Sequence, residues 1–291
     1  MNRLSTAKRS QIVAALCEGV SVRATCRLTG AAKGTVLKLL VDLGAAVEQY
    51  QDVTLRNIRS RRIQCDEIWS FVYAKSKNVP AEHAGEWGYG DVWTWVAIDS
   101  DTKLVPSWAV GRRDGFTASA FIADLADRLA TRVQLTSDGL KVYLEAVEGA
   151  FGNDIDYAML VKTYEGDSGK RASAERRYSP AVCTGAVQQR ITGNPDPAHI
   201  STSHVERQNL TMRMQMRRFT RLTNGFSKKV DNLKAAVAIY YMHYNFARIH
   251  QTLRVTPAME AGISDHVWSI EEIVGLLDWA AAQPARAGDS N

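Results

Sequence analysis

Three carboxylates stand where a folded chain can gather hard oxygen ligands. Asp66 falls inside a β-rich run at residues 63–73, Asp138 directly follows the short apolar segment 133–137, and Glu206 lies near the start of a helix-forming stretch. Such sets hold divalent cations, and two ions about 3.5–4 Å apart activate the attacking oxygen of a phosphoryl transfer and stabilise the leaving one, with no protein nucleophile. Each residue also has a plainer reading. Asp66 can be a strand salt-bridge residue, Asp138 before Gly139 a turn residue or helix cap, and Glu206 a first-turn acid that complements the helix dipole.

The elements that must position these residues can be read from periodicity. Residues 63–73, 92–99 and 104–110 have strand character and suit an antiparallel meander; 116–130 is an amphipathic helix, 133–137 a strand, 140–151 a helix and 158–162 a strand. Three strands, helix, strand, helix, strand is the order of the RNase H-like fold, an α/β mixed sheet flanked by helices in which the first and fourth strands are neighbours. Asp66 and Asp138 then converge. Alternation along the strand groups Asp66 with Gln64 and Ser70, and Glu67 with Trp69 and Phe71, so the polar face favours Asp66. Residues 164–198 turn polar and are expected to form an irregular insertion before a long helix that starts near Ser201 or Ser203.

The first 43 residues carry helical patterns divided at Gly19 and Gly30, with Ser21 as an N-cap. Residues 19–36 resemble the helix-turn-helix of bacterial transposases and regulators. That layout offers the start of the third helix to a major groove, with Lys33, Thr35 and Lys38 as donors to phosphates and base edges. The expected organisation is a helix-turn-helix DNA-binding domain at 1–46, a linker at 47–62 ending in a basic cluster, a catalytic domain at 63–225, and C-terminal helices with a frayed tail at 226–291.

Residues 65–71 (Cys-Asp-Glu-Ile-Trp-Ser-Phe) and 201–214 (Ser-Thr-Ser-His-Val-Glu-Arg-Gln-Asn-Leu-Thr-Met-Arg-Met) are similar to signature blocks of the insertion-element-one transposase family. The match continues through residues 217–224, and 244–250 resemble the tail of integrase-type cores. The resemblance implies a catalytic, metal-binding triad of Asp66, Asp138 and Glu206, two Mg²⁺ ions with Mn²⁺ as a substitute, and double-stranded DNA as partner, both element ends and target. Pairing two ends implies at least a homodimer. Many family members begin with a cysteine-rich zinc module, which this chain replaces by the helix-turn-helix. An RNase H-like nuclease without strand transfer and a regulator with an inactive catalytic domain are the competing readings.

At 100° per residue Val205, Met212, Met216 and Phe219 form an apolar stripe, while Glu206, Arg213, Arg217 and Thr220 line up about a quarter-turn away, so Arg213 and Arg217 are expected to clamp phosphate. His199 and His204 flank the expected active-site helix, where each suits a cap-region hydrogen bond. The tyrosines at 240, 241 and 244 are expected in the core, not as nucleophiles. A net charge of +5 permits an anionic partner without requiring one. No apolar run reaches the ~18 residues of a membrane span, and no secretory signal precedes the first helix, so the expected location is the bacterial cytoplasm, on the nucleoid. The four cysteines form no C-x-x-C pair and are expected to be reduced and mostly buried.

Overall fold

Ser5 and Ser21 open the first two helices by accepting hydrogen bonds from the N–H groups of Lys8 and Ala24, and Gly30 closes the second in the left-handed region. Caps of this kind satisfy helix-end groups that have no partner inside the helix. In the computed structural model, which describes residues 4–164, 183–220 and 224–283, these are α1 (Thr6–Cys17) and α2 (Val22–Thr29), followed by α3 (Lys33–Thr54). Three helices were expected here, but α3 runs on into the stretch read as a linker. Its polar residues there are the outer side of an amphipathic helix whose other side, Leu43, Ala46, Val47 and Gln51, is buried. That side packs on α7 (Val230–Met242) and α9 (Ile270–Ala282). Gly44 permits the approach to α7: a Cβ there would lie 2.4 Å from Ala235 Cβ.

The central sheet comprises β1 (Arg62–Val72), β2 (Gly90–Asp99), β3 (Ser107–Gly111), β4 (Gln134–Ser137), β5 (Asp156–Tyr164) and β6 (Cys183–Thr192), in the order β3-β2-β1-β4-β5-β6. The first three form an antiparallel meander, β1, β4 and β5 run parallel, and β6 returns antiparallel to β5. β3 begins later than its apolar residues suggest. The preceding Val105 is held by a side chain: its N–H donates to Asn245 Oδ1 at 3.0 Å and its carbonyl accepts from Asn245 Nδ2 at 2.9 Å. β6 falls within the segment expected to be irregular; its polar side chains are exposed, so it carries no burial pattern to announce it. The remainder of that insertion, residues 165–182, and the tail beyond residue 283 lie outside the described residues.

Alternation along the strands gives each face its own core. Ile63, Cys65, Trp95, Leu135 and Tyr157 pack under α4 (Gly115–Arg128) and α5 (Val142–Phe151). Ile68, Val92, Val96 and Ile98 share the other core with α3, α7 and α6 (Ser203–Gln215), below the short α8 (Pro257–Glu260) and α9. Val205, Met212, Met216 and Phe219 are buried as their spacing predicts, as are Tyr240, Tyr241 and Tyr244. The cysteines are all free, but only Cys65 is buried; Cys17 and Cys26 are intermediate and Cys183 is exposed on β6. Among the described residues no helix is long and apolar enough to cross a membrane.

Candidate metal centre and nucleic-acid interface

β4 ends at Ser137, opposite Cys65 in the parallel register, while β1 continues paired with β2 and, among the described residues, finds its next partner on the other edge only at the Val72–Ser227 bridge. Among the described residues no strand covers that edge of β1 between Cys65 and Val72. Asp66, Glu67 and Asp138 meet there, each offering a carboxylate oxygen within 4.8 Å of the others. Strand alternation sends Asp66 toward α6 and Glu67 toward α5 and Tyr143, which separated them in the sequence. Where no described strand adjoins, both side chains reach the same point. Glu67 thus joins the two expected aspartates.

Each acid has its own support. Asp66 Oδ2 accepts from Asn209 Nδ2 at 2.9 Å. Glu67 Oε2 accepts from Arg113 Nε at 3.1 Å, and the same guanidinium lies 3.8 Å from Asp138 and stacks over the Trp93 ring, 4.7 Å from its centre. Asp138 Oδ1 accepts from the Leu140 N–H at 3.0 Å. Glu206 lies outside the tight group: its Oε1 accepts from Lys162 Nζ and, at 2.5 Å, from Thr202 Oγ1. It remains close enough for its charge to raise the proton affinity of Asp66 and Asp138.

Gln64, the residue on β1 that shares the Asp66 face, fixes the helix that carries Glu206. Its Oε1 accepts from the N–H groups of His204 at 2.8 Å and Val205 at 3.2 Å, two donors that α6 itself leaves unsatisfied. Burial, then the neighbouring Asp138 charge, pushes the Asp66 carboxyl up to about 6 and that of Glu67 up to about 7. Burial likewise raises Asp138. Packed carboxylates that resist ionisation together need a cation between them to be fully charged.

The expected DNA contacts are dispersed. Lys33, Thr35 and Lys38 are exposed on the first turns of α3. Lys33 opens onto a cavity it shares with Arg217, whereas Lys38 pairs with Asp42 at 2.7 Å. The row Glu206, Arg213, Arg217 and Thr220 does not persist, because α6 ends at Gln215, Met216 is extended (φ −111°, ψ 109°), and Arg217 sits on a separate 3₁₀ turn. Arg213 stays on α6 and is partly buried; Arg217 is exposed. His204 contributes its backbone to the α6 cap, and His199 lies against Arg62.

Asn209, Arg113 and Lys162 carry no signature of their own in the sequence, and strand alternation points Glu67 away from Asp66. Asn209 sits one helical turn beyond Glu206, a spacing that was legible; Arg113 and Lys162 stand on other elements, with no local pattern that ties them to the acids.

No known protein family matches the chain, and no curated protein is significantly similar to it. Among solved structures 17 chains match. One, from a cryo-EM structure of a piggyBac transposase synaptic complex with hairpin DNA, aligns with a TM-score of 0.41 and 10% identity over 96% of this chain and 73% of that one.

Proposed function

We propose that this chain is a metal-dependent DNA transposase of RNase H-like fold, akin to the insertion-element-one family, which cleaves element ends to expose 3′-hydroxyls and joins them to target DNA. The observation that carries this reading is the meeting of Asp66, Glu67 and Asp138 at the edge of β1 where β4 stops, under the helix that bears Glu206. The order β3-β2-β1-β4-β5, antiparallel on one side of β1 and parallel on the other, supports the fold assignment.

The donor set suits a hard cation: every ligand is a carboxylate oxygen, which favours Mg²⁺ and accepts Mn²⁺. Asp66, Asp138 and Glu206 would hold the ions, with Glu67 as a further donor. When bound, a metal pair supplies a Lewis-acid clamp for the attacking and leaving oxygens of a phosphodiester. The protein's own part is to hold that clamp in shape. Asn209 orients Asp66, Gln64 anchors the Glu206 helix to β1, and Arg113 and Lys162 balance acids that would otherwise repel. Lys33, Thr35 and Lys38 are assigned to element-end recognition and Arg213 and Arg217 to phosphate contact. Two ends must be brought together, so the working form is at least a dimer.

Purified protein incubated with Mg²⁺, element-end DNA and a supercoiled plasmid tests this. Free 3′-hydroxyls and joined products that vanish with EDTA are expected. Cleavage without joining would favour a nuclease. A protein-linked DNA band abolished by Tyr240→Phe, Tyr241→Phe or Tyr244→Phe would overturn the mechanism; all three tyrosines are buried.

A further inference from the structure

Between the N-terminal helices, the turn after α6 and the side of α7 lies a cavity of about 840 Å³, within the size range of small-ligand pockets. Its charged lining is of one sign. Arg23, Lys33, Arg217, Arg218, Lys228 and Lys229 face it, and among the described residues no aspartate or glutamate does. Within the same set none of these six forms an ion pair; Arg218 donates to Ser227 Oγ at 2.6 Å and Lys228 sits over the Phe226 ring, 3.7 Å from its centre. Burial pulls the Arg218 guanidinium down to about 10. A desolvated cation is unfavourable unless an anion completes the site.

The more buried part of the lining is of the opposite character, an apolar floor of Leu16, Val20, Leu37, Met216 and Ile239 beside the half-buried Phe226, whereas every cation but Arg218 is exposed. A cationic rim over an apolar floor fits a ligand with phosphates at its edge and a flat apolar body. Nucleotides have that chemistry, and single strands are held by this combination of backbone cations and surfaces for bases. A duplex presents phosphates but keeps its bases stacked inside.

The geometry points to this cavity as a binding site for an unpaired nucleotide of a DNA strand, its base on the apolar floor and its phosphates on Arg218, Arg217, Lys228 and Lys229. The source of the nucleotide rests on the transposase reading above; the chemistry of the pocket does not. Placement supports a role beside the metal centre. α6 carries Glu206 near its start and ends at Gln215 against the cavity wall, where a Cβ on Gly19 would lie 2.2 Å from the Gln215 carbonyl. Nine residues of helix rise about 14 Å, so the cavity wall lies at the far end of the same helix that carries Glu206.

Fluorescence anisotropy with a labelled single-stranded hexanucleotide, without metal, tests the pocket independently of catalysis. Wild-type protein should bind it in a salt-dependent way. Arg218→Gln should weaken binding about tenfold, and Lys228→Gln/Lys229→Gln should reduce the salt slope by about 1.4, at ~0.7 for each phosphate no longer neutralised. Lys77→Gln, an exposed lysine elsewhere, should change neither. Photocrosslinking of a bromodeoxyuridine-substituted strand should map to residues 224–229. Crosslinks confined to other surfaces, or wild-type binding by the exposed double-lysine variant, would overturn the proposal even if Arg218→Gln fails to fold. Free deoxynucleoside triphosphate binding as tightly as the hexanucleotide would overturn the DNA strand as occupant. Metal-dependent cleavage of duplex ends, assayed in parallel, reports on the transposase reading alone.

Discussion

Asn209 Nδ2 donates to Asp66 Oδ2 across 2.9 Å, joining α6 to β1 at the acid group. The bond fixes which oxygen of Asp66 remains for a cation. Hydrogen bonds from a second residue to a metal ligand are typically worth ten- to a hundredfold in affinity or activity. Asn209→Ala should accordingly lower Mg²⁺-dependent cleavage by about that factor and raise the Mg²⁺ concentration needed for half-maximal rate. Asn209→Asp should be worse, as it adds a charge and removes the donor. A metal titration of cleavage rate, with thermal unfolding as a check on the fold, measures both; an unchanged half-maximal Mg²⁺ concentration in Asn209→Ala would remove this role.

The raised carboxyl groups make stability depend on pH in a defined direction. Asp66 and Glu67 move from 3.8 and 4.5 up to about 6 and about 7, so the folded protein holds more protons than the unfolded chain between those limits. Their favourable contribution is complete below about pH 4 and is lost as pH rises to about 7. In EDTA, the melting temperature should fall by several degrees across that window, using ~2–4 °C per kcal/mol for a chain of this order of size. Mg²⁺ should restore it at pH 7.5. Asp66→Asn/Glu67→Gln should flatten the profile and abolish the Mg²⁺ response. A flat wild-type profile in calorimetry would mean the acids are better hydrated than their burial implies.

Substitutions of the acids separate holding a cation from neighbouring it. Asp66→Asn, Asp138→Asn and Glu206→Gln should each abolish cleavage and joining while end binding, read by gel shift, stays within about threefold, since only the clamp is lost. Glu67→Gln should retain partial cleavage if Glu67 mainly anchors Arg113. Isothermal titration with Mn²⁺ adds a reading that does not depend on turnover. Retained strand transfer in any of the first three variants would take that residue out of the triad.

Much of this architecture was legible in the sequence because local pattern and global fold agree. Strands β1, β2 and β4 and helices α4 and α5 announced themselves by period, and Ser21 and Gly30 by cap chemistry. What stayed hidden depends on neighbours distant in sequence. Alternation points Glu67 away from Asp66, and it is reliable inside a sheet but not past Cys65, where β4 stops and no described strand covers β1 until the Val72–Ser227 bridge. β6 has exposed side chains at every residue but its last, so its hydrogen-bonded backbone leaves no burial pattern to read. Arg217 was assigned by helical angle, and the helix ended two residues before it.

The extent of α3 makes a final prediction about whether DNA recognition can be detached. A helix-turn-helix unit ending near residue 46 would be expected to come away cleanly, but Val36, Leu39, Leu40, Leu43 and Val47 are buried in the core that also contains α7 and α9. Deleting residues 1–45 would expose the apolar sides of those helices, so the truncated chain should aggregate or melt far below the intact protein. Point changes are the cleaner test. Gly44→Val should destabilise by about 1–3 kcal/mol through overpacking against Ala235, where even a Cβ would come within 2.4 Å. Thr35→Ala/Lys38→Ala alters exposed positions and should leave the melting temperature within about 2 °C while reducing discrimination between element ends and random duplex, because surface changes rarely exceed ±0.5 kcal/mol. Competition binding at a fixed salt concentration reads that discrimination. Intact specificity in the double variant, with a native melting curve, would move end recognition off the first turns of α3.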